Sequence, residues 1–138
     1  MAGVVNIITL SADQPLSTKI FSETGSFNTQ NNGISIGLKD GAFDMRLGIS
    51  DLQTDGDNIS RSGSEKDGYE NTNLNLKSGW RLSNQLNLTF AARQSDGINE
   101  YDADINFDSL IDDQDGLSKF HSTTKRFKAD YSSLDGHW

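Results

Sequence analysis

Phe43-Asp44-Met45-Arg46-Leu47-Gly48-Ile49-Ser50 is the stretch that decides the fold. Its apolar residues fall at every second position. A period of two places Phe43, Met45, Leu47 and Ile49 on one face of an extended strand, and Asp44, Arg46, Gly48 and Ser50 on the other. Working outward, the same pattern recurs. Leu74, Leu76, Trp80 and Leu82 oppose Asn73, Asn75, Lys77, Gly79 and Arg81. Leu86, Leu88, Phe90 and Ala92 oppose Asn87, Thr89 and Arg93. Ile34, Ile36 and Leu38 alternate with Ser35, Gly37 and Lys39, and Phe127, Ala129 and Tyr131 with Arg126, Lys128 and Asp130. A weaker first strand is expected over Ser17–Asn28, with Phe21 and Phe27 on one face, interrupted by Glu23 and Gly25. No helical period competes with these strands.

The connections alternate in length. Tight turns are expected at Lys39–Ala42, Leu82–Gln85 and Leu134–Trp138, where Asp40-Gly41, Ser83-Asn84 and Asp135-Gly136 supply turn chemistry. Between them come the short Thr29–Gly33 and the long polar stretches Thr54–Tyr69 and Ser95–Phe120. In an up-and-down sheet every second connection lies at the same end. Tight turns then share one end and long loops the other, the asymmetry of bacterial outer-membrane barrels. The expected fold class is therefore all-β: an antiparallel up-and-down meander of about six strands, part of a large transmembrane β-barrel.

Composition agrees with a sheet of this kind. The chain has 138 residues, enough for one domain, of which only 33% are hydrophobic, and its mean hydropathy is −0.60. Both values are low for a chain that buries its own core. Disorder is the plain alternative for so polar a sequence, but the apolar spacing is too regular for it. No run approaches the roughly 20 apolar residues of a spanning helix, which leaves barrel strands as the route across a bilayer. Net charge is −8, so no nucleic acid partner is expected, since phosphate binding needs clustered Lys and Arg. Cysteine is absent, which removes disulfides and thiolate metal sites. The start of the chain does not read as a signal peptide.

Gly3-Val4-Val5-Asn6-Ile7-Ile8-Thr9 resembles the motif that closes the plug domain of TonB-dependent outer-membrane receptors. Glu23-Thr24-Gly25-Ser26-Phe27 is similar to the first barrel strand of that family, and Asp67-Gly68-Tyr69 with Asn71 and Asn73 to a loop-to-strand return. The resemblance implies that residues 1–10 form the C-terminal end of a plug and residues 17–138 the first strands of an incomplete barrel. The chain would be a fragment of a protein of the bacterial outer membrane, in contact with membrane lipid. The intact receptor would capture a scarce ligand, cobalamin or a ferric siderophore, and import it with energy from the TonB complex. Arg46, Lys77, Arg81 and Arg93 would line the lumen or meet the plug. Trp80, Trp138 and Tyr131 would mark the periplasmic interface.

Within the family the acidic loops are most similar to those of vitamin B12 receptors, whose aspartates bind calcium. The positions carried over are Asp57, Glu65, Asp67, Asp96 and Asp102, with Glu65 departing from the aspartate pattern. Asp104, Asn106, Asp108 and Asp115 also match oxygen-ligand spacing in a calcium loop. Ser109 stands where the sharp turn needs glycine, and Asp115 where the bidentate glutamate belongs. Catalysis is not expected. His121 and His137 have no partner at zinc-ligand spacing, and Gly-x-Ser-x-Gly and His-Glu-x-x-His are absent. The alternative is a soluble β-rich module binding calcium or carbohydrate through the same acidic loops.

Overall fold

The computed structural model describes residues 11–61 and 63–133. Six strands follow one another: β1 (Leu16–Thr24), β2 (Gln30–Asp40), β3 (Phe43–Thr54), β4 (Tyr69–Arg81), β5 (Leu86–Ala103) and β6 (Asp112–Tyr131). They form one open antiparallel sheet in the order β1-β2-β3-β4-β5-β6, each strand paired with its neighbours in sequence. The all-β up-and-down meander expected from the alternation is what forms. The plug-like Gly3–Thr9 motif, the turn Leu134–Trp138, His137 and Trp138 lie outside the described residues.

The β2–β3 turn is shifted by one residue from its sequence reading. Asp40 pairs with Phe43, so Gly41 and Ala42 are the central residues. Gly41 has φ of 53°, the left-handed conformation that a type II′ hairpin requires at its first central position. The β4–β5 turn is tied by the Ser83 hydroxyl, which accepts from the Gln85 and Leu86 N–H groups at 3.1 Å each.

Three expectations need correction. The first strand ends at Thr24 and its turn spans residues 25–29, not 29–33. Phe27 and Asn28 both take positive φ there, 56° and 54°, so Phe27 is a turn residue. Phe21 lies on the polar face, because it pairs with Gly33; Leu16 and Ile20 occupy the apolar face instead. Ser95–Phe120 is not a long loop. It is mostly ladder: β5 continues to Ala103 and β6 begins at Asp112, leaving 104–111 as the connection.

The extended hairpin is polar on both faces at its far end, which hides it from a hydrophobic-alternation reading. Aromatic–glycine pairs help hold it. Gly97 faces Phe120 and Gly116 faces Tyr101, and the Phe120 ring covers Gly97 so closely that a methyl there would overlap it. Phe21 covers Gly33 in the same way. Cross-strand aromatic side chains filling the space beside strand glycines are a known sheet-stabilising device.

The sheet has one layer and almost no core. Among the described residues only Ala12 is a buried hydrophobic, at 4% exposure. The chain exposes 10190 Å², against about 7,100 Å² for a folded monomer of this mass. Leu16, Ile20, Ile49, Leu74, Trp80, Phe127 and Tyr131 are all exposed.

The register places these apolar residues in an oblique band on one face. Ile34, Ile49 and Leu74 share a row across β2, β3 and β4. On β5 the band begins one row nearer the tight turns, at Ala92, and on β6 a further row down, at Phe127. Its other limit descends too, from Leu38 on β2 to Phe43 on β3, and then to Leu82, Leu86 and Tyr131. Only Ser78 interrupts it within β4. Between β2 and β6 the midline drops by about four residues, roughly 14 Å along the strands, over about 19 Å of strand spacings. The band therefore crosses the sheet at about 35° from the perpendicular to the strands.

Candidate functional site

Two chemically opposite regions stand out, one at each end of the sheet. At the long-loop end, the connection 55–68 folds onto the β5–β6 hairpin. The Arg61 N–H donates to the Ile111 carbonyl at 3.0 Å. Its guanidinium donates to Asp112 Oδ1 at 2.6 Å and reaches Asp108 Oδ2 at 3.4 Å. The Gly68 N–H donates to Glu100 Oε2 at 3.0 Å, and the Glu100 N–H donates to the Gly68 carbonyl at 2.9 Å. Gly63 makes the close approach possible. At φ of 92° its backbone lies against the Asp113 carboxylate, where any side chain would collide. The β1–β2 turn joins the same end, since the Asp55 N–H donates to the Phe27 carbonyl at 3.0 Å.

This docking gathers carboxylates. Glu65 and Asp67 from the loop meet Asp102 of β5 and Asp113 and Asp115 of β6. The Glu65 pKa is pushed up to about 7, first by a hydrogen bond with Asp115, then by burial and by the charges of Asp115, Asp113 and Asp102. Asp67 is raised by burial first, then by the charge of Asp102 and a hydrogen bond with it, and by Asp113 and Glu100. A hydrogen bond between two carboxyl groups needs a proton, so these contacts favour the protonated forms of Glu65 and Asp67. Arg61 takes up charge at the rim; its pKa is raised chiefly by the hydrogen bond and charge of Asp112. A recess of about 560 Å³ opens beside the cluster, lined by Glu65, Tyr101, Ile105, Asp113, Gln114 and Asp115 among others.

The residues singled out as calcium ligands divide. Glu65 and Asp67 each feel the charge of Asp102. Asp57 stays in the first part of the loop, where its Oδ1 accepts the Asn58 N–H. Asp96 is not at the start of a loop. It lies within β5, about 20 Å down the strand from Asp102, where its carboxylate meets the His121 Nδ1 of β6. Among the described residues no three His, Asp or Glu side chains converge in a way that could hold a metal ion. The segment with calcium-loop spacing is organised by its own backbone. Asp104 accepts the N–H groups of Asp108 and Ser109, and Asp108 accepts that of Leu110. Asp115 belongs to β6, not to that loop. The Asp96–His121 pair and the Arg61 clamp were not foreseen; both depend on a register that spacing along the chain does not reveal.

At the tight-turn end the polar face is cationic. Lys39, Arg46, Lys77, Arg81, Arg126 and Lys128 stand there against Asp44 and Asp130. A recess of about 290 Å³ lies among them, lined also by Ser11. The segment before β1 rests on this same face. Ala12 sits over Gly37, beside Ser17 and Arg46, and the Lys39 N–H donates to the Pro15 carbonyl at 3.2 Å. Farther up the face, Asn71 is buried at 8% exposure; its Nδ2 donates to Ser95 Oγ and to the Asp96 carbonyl. Arg93 donates to Asn73 Oδ1 at 3.0 Å.

No protein-family model, curated protein or solved structure matches the chain.

Proposed function

We propose that this chain is wall of a transmembrane β-barrel in the bacterial outer membrane, belonging to a TonB-dependent receptor that captures and imports a scarce ligand such as cobalamin or a ferric siderophore. The observation that carries the reading is the oblique apolar band on a sheet that has no core of its own. Barrel strands tilt by about 35–45° from the barrel axis. A bilayer slab crossing tilted strands marks them obliquely at that angle, and about 35° is the slope of this band. Its height supports the same reading. Leu74 to Leu82 spans about 27 Å along the strand, roughly 22 Å after tilt, against an apolar belt of about 25 Å in such barrels.

Other features are consistent. Trp80 and Tyr131 lie at the tight-turn margin of the band, as interfacial aromatics do. Residues 11–15 precede β1 and reach the polar face, the lumen side in this reading, as a chain leaving a plug would. The acidic loop end then faces outward and contributes to ligand capture, while Arg46, Arg81 and Arg93 line the interior. These roles are non-covalent, with no reaction chemistry. Among the described residues the sheet has two free edges, at β1 and β6, and unpaired backbone in lipid costs several kcal/mol per group. Further strands must therefore complete the wall, and this chain alone is expected to give no substrate flux in liposomes.

The test is fractionation. The chain is expressed with an outer-membrane signal, and membranes are washed in carbonate and in urea. Retention in the outer-membrane fraction, with the loop 55–68 cleaved by external protease, is expected. A monomer that folds with full β-sheet signal in water without detergent would overturn the reading in favour of a soluble module.

A further inference from the structure

We infer that the recess between the docked loop 55–68 and the apolar-band face of β4–β6 binds a small dissolved zwitterion, a molecule with one ammonium and one carboxylate about 5 Å apart. This goes beyond the barrel reading, which enters only to place the recess relative to lipid.

Strand alternation sets the floor. Glu70 of β4, Ile98 of β5 and Lys119 of β6 stand in one row of the ladder. Glu70 and Leu74 are an even number of residues apart on β4, so the row lies on the face that carries the apolar band. The loop forms the roof. Gly68 lets it descend, because a methyl there would crowd Glu100 Oε2 and the Thr54 carbonyl. The space left between is about 600 Å³, the size of a small-molecule site.

Most of the charge around this space is already matched. Lys66 Nζ lies 3.7 Å from Asp55 Oδ2, and Glu100 Oε2 accepts the Gly68 N–H at 3.0 Å. Glu70 and Lys119 are the exceptions. Among the described residues neither charged group has an ion-pair or hydrogen-bond partner. They do not pair with each other either: Ile98 stands between them, and two strand spacings, about 10 Å, separate their backbones. A simple cation or anion would match one and be repelled by the other. A ligand that bridges them satisfies both. Side chains stand roughly perpendicular to a sheet, so the two charged ends are also about 10 Å apart. A charge-assisted contact takes about 2.8 Å at each end, which leaves about 4–5 Å for the ligand's own charge separation. A short methylene spacer fills that length and lies over Ile98 and the half-exposed Leu117.

A zwitterionic lipid headgroup carries similar charges, but the height of the row favours a dissolved ligand. In the barrel reading Leu74 marks the upper margin of the band on β4. Glu70 is four residues farther, about 14 Å along the strand and about 11 Å after tilt. The headgroup layer beyond the hydrocarbon is only about 5–8 Å thick.

The test is saturation-transfer NMR on the full chain in maltoside micelles, with γ-aminobutanoate as the probe. Binding with a Kd of about 1 mM or tighter is expected. Butanoate and butylamine, which each keep one charge, should bind about tenfold more weakly. Glu70→Gln and Lys119→Gln should each lose about tenfold in affinity. Lys125→Gln, on the same face of β6 but opposite Ala92 and away from the recess, should stay within about twofold. The reversed pair Glu70→Lys/Lys119→Glu presents the same two charges in the opposite order, and should recover binding to within about threefold of the parent. Such recovery separates loss of a charge from loss of the fold. No transfer to γ-aminobutanoate, equal binding of butanoate or butylamine, single variants that bind like the parent, or a reversed pair no better than the single variants would each overturn the inference. The chain in phosphatidylcholine vesicles should bind as it does in maltoside; loss of binding there would mean that the lipid headgroup occupies the recess, and would overturn it too. Folding in water without detergent would count against the barrel wall alone, since the recess is built by the chain itself in either case.

Discussion

Placing an arginine at successive outward positions tests the oblique band strand by strand. Leu47 lies at mid-band on β3 and is exposed, with no core around it. In water Leu47→Arg would change stability by about 0.5 kcal/mol or less, as surface substitutions do. In a bilayer an outward arginine costs about 2–4 kcal/mol at the midplane and about 0–1 near the interface. With a guanidinium m-value of about 3 kcal/mol/M, a 3 kcal/mol loss moves the midpoint by about 1 M. The assay is guanidinium unfolding of the chain in phosphatidylcholine vesicles, followed by tryptophan fluorescence. The informative quantity is where the cost peaks on each strand. On β2 the peak should fall at Ile36, and on β6 at Ala129, two rows nearer the tight turns. Ile34→Arg and Phe127→Arg, at the upper margin, should cost about 1 kcal/mol or less. A peak in the same row on every strand would refute the tilt, and a flat profile below about 0.5 kcal/mol would refute burial in lipid altogether.

Other expectations follow from the loop end and the polar face. The folded pKa of Glu65 lies above its ordinary value, so the docked loop prefers the protonated form. Its contribution is complete below pH 4.5 and is lost as pH rises through about 7. Protease nicking of residues 55–68 should accordingly be slow at pH 5 and faster at pH 8.5, and Glu65→Gln should remove most of that difference; equal rates at both pH values in the parent would contradict it. Arg61→Ala should raise nicking at pH 7 while leaving the midpoint of global unfolding nearly unchanged, because the exposed guanidinium ties the loop to Asp112 and Asp108 only at the rim. Gly97→Val forces a side chain between the Phe120 ring and the Glu70 carbonyl, and should destabilise by about 1–3 kcal/mol in denaturant unfolding. The double change Gly97→Val/Phe120→Ala should recover part of that loss; strict additivity would show that the ring is not the obstacle.

The strands that alternate cleanly were legible. Phe43 to Ile49 and Leu86 to Ala92 bury no side chain, yet their period of two identified both strands and the shared face. What was not legible depends on pairing. The segment 95–103 has Asp96 and Glu100 outward and Ser95 and Asn99 inward, so neither face announces a strand. Only the ladder to β6 makes it one. Phe21 illustrates the converse: its hydrophobicity argued for the apolar face, but opposite Gly33 the ring has a place to lie on the polar one. At the candidate site, acidity in 55–69 and 96–115 was plain from the sequence. That Glu65 would meet Asp115 while Asp96 would meet His121 was not, because a two-residue change in register exchanges such partners.

The missing core also has a consequence for how this sheet assembles. Each strand touches only its neighbours in sequence, so the structure is in effect a one-dimensional chain of hairpins. Stability in such arrays is close to a sum of nearest-neighbour terms, and folding can propagate like a zipper from any nucleus. The β5–β6 pair, the longest ladder, is the natural starting point. Damage to β1 would then fray one margin and leave β4–β6 almost unperturbed. An arriving strand could be added at β6 without rearranging anything already formed.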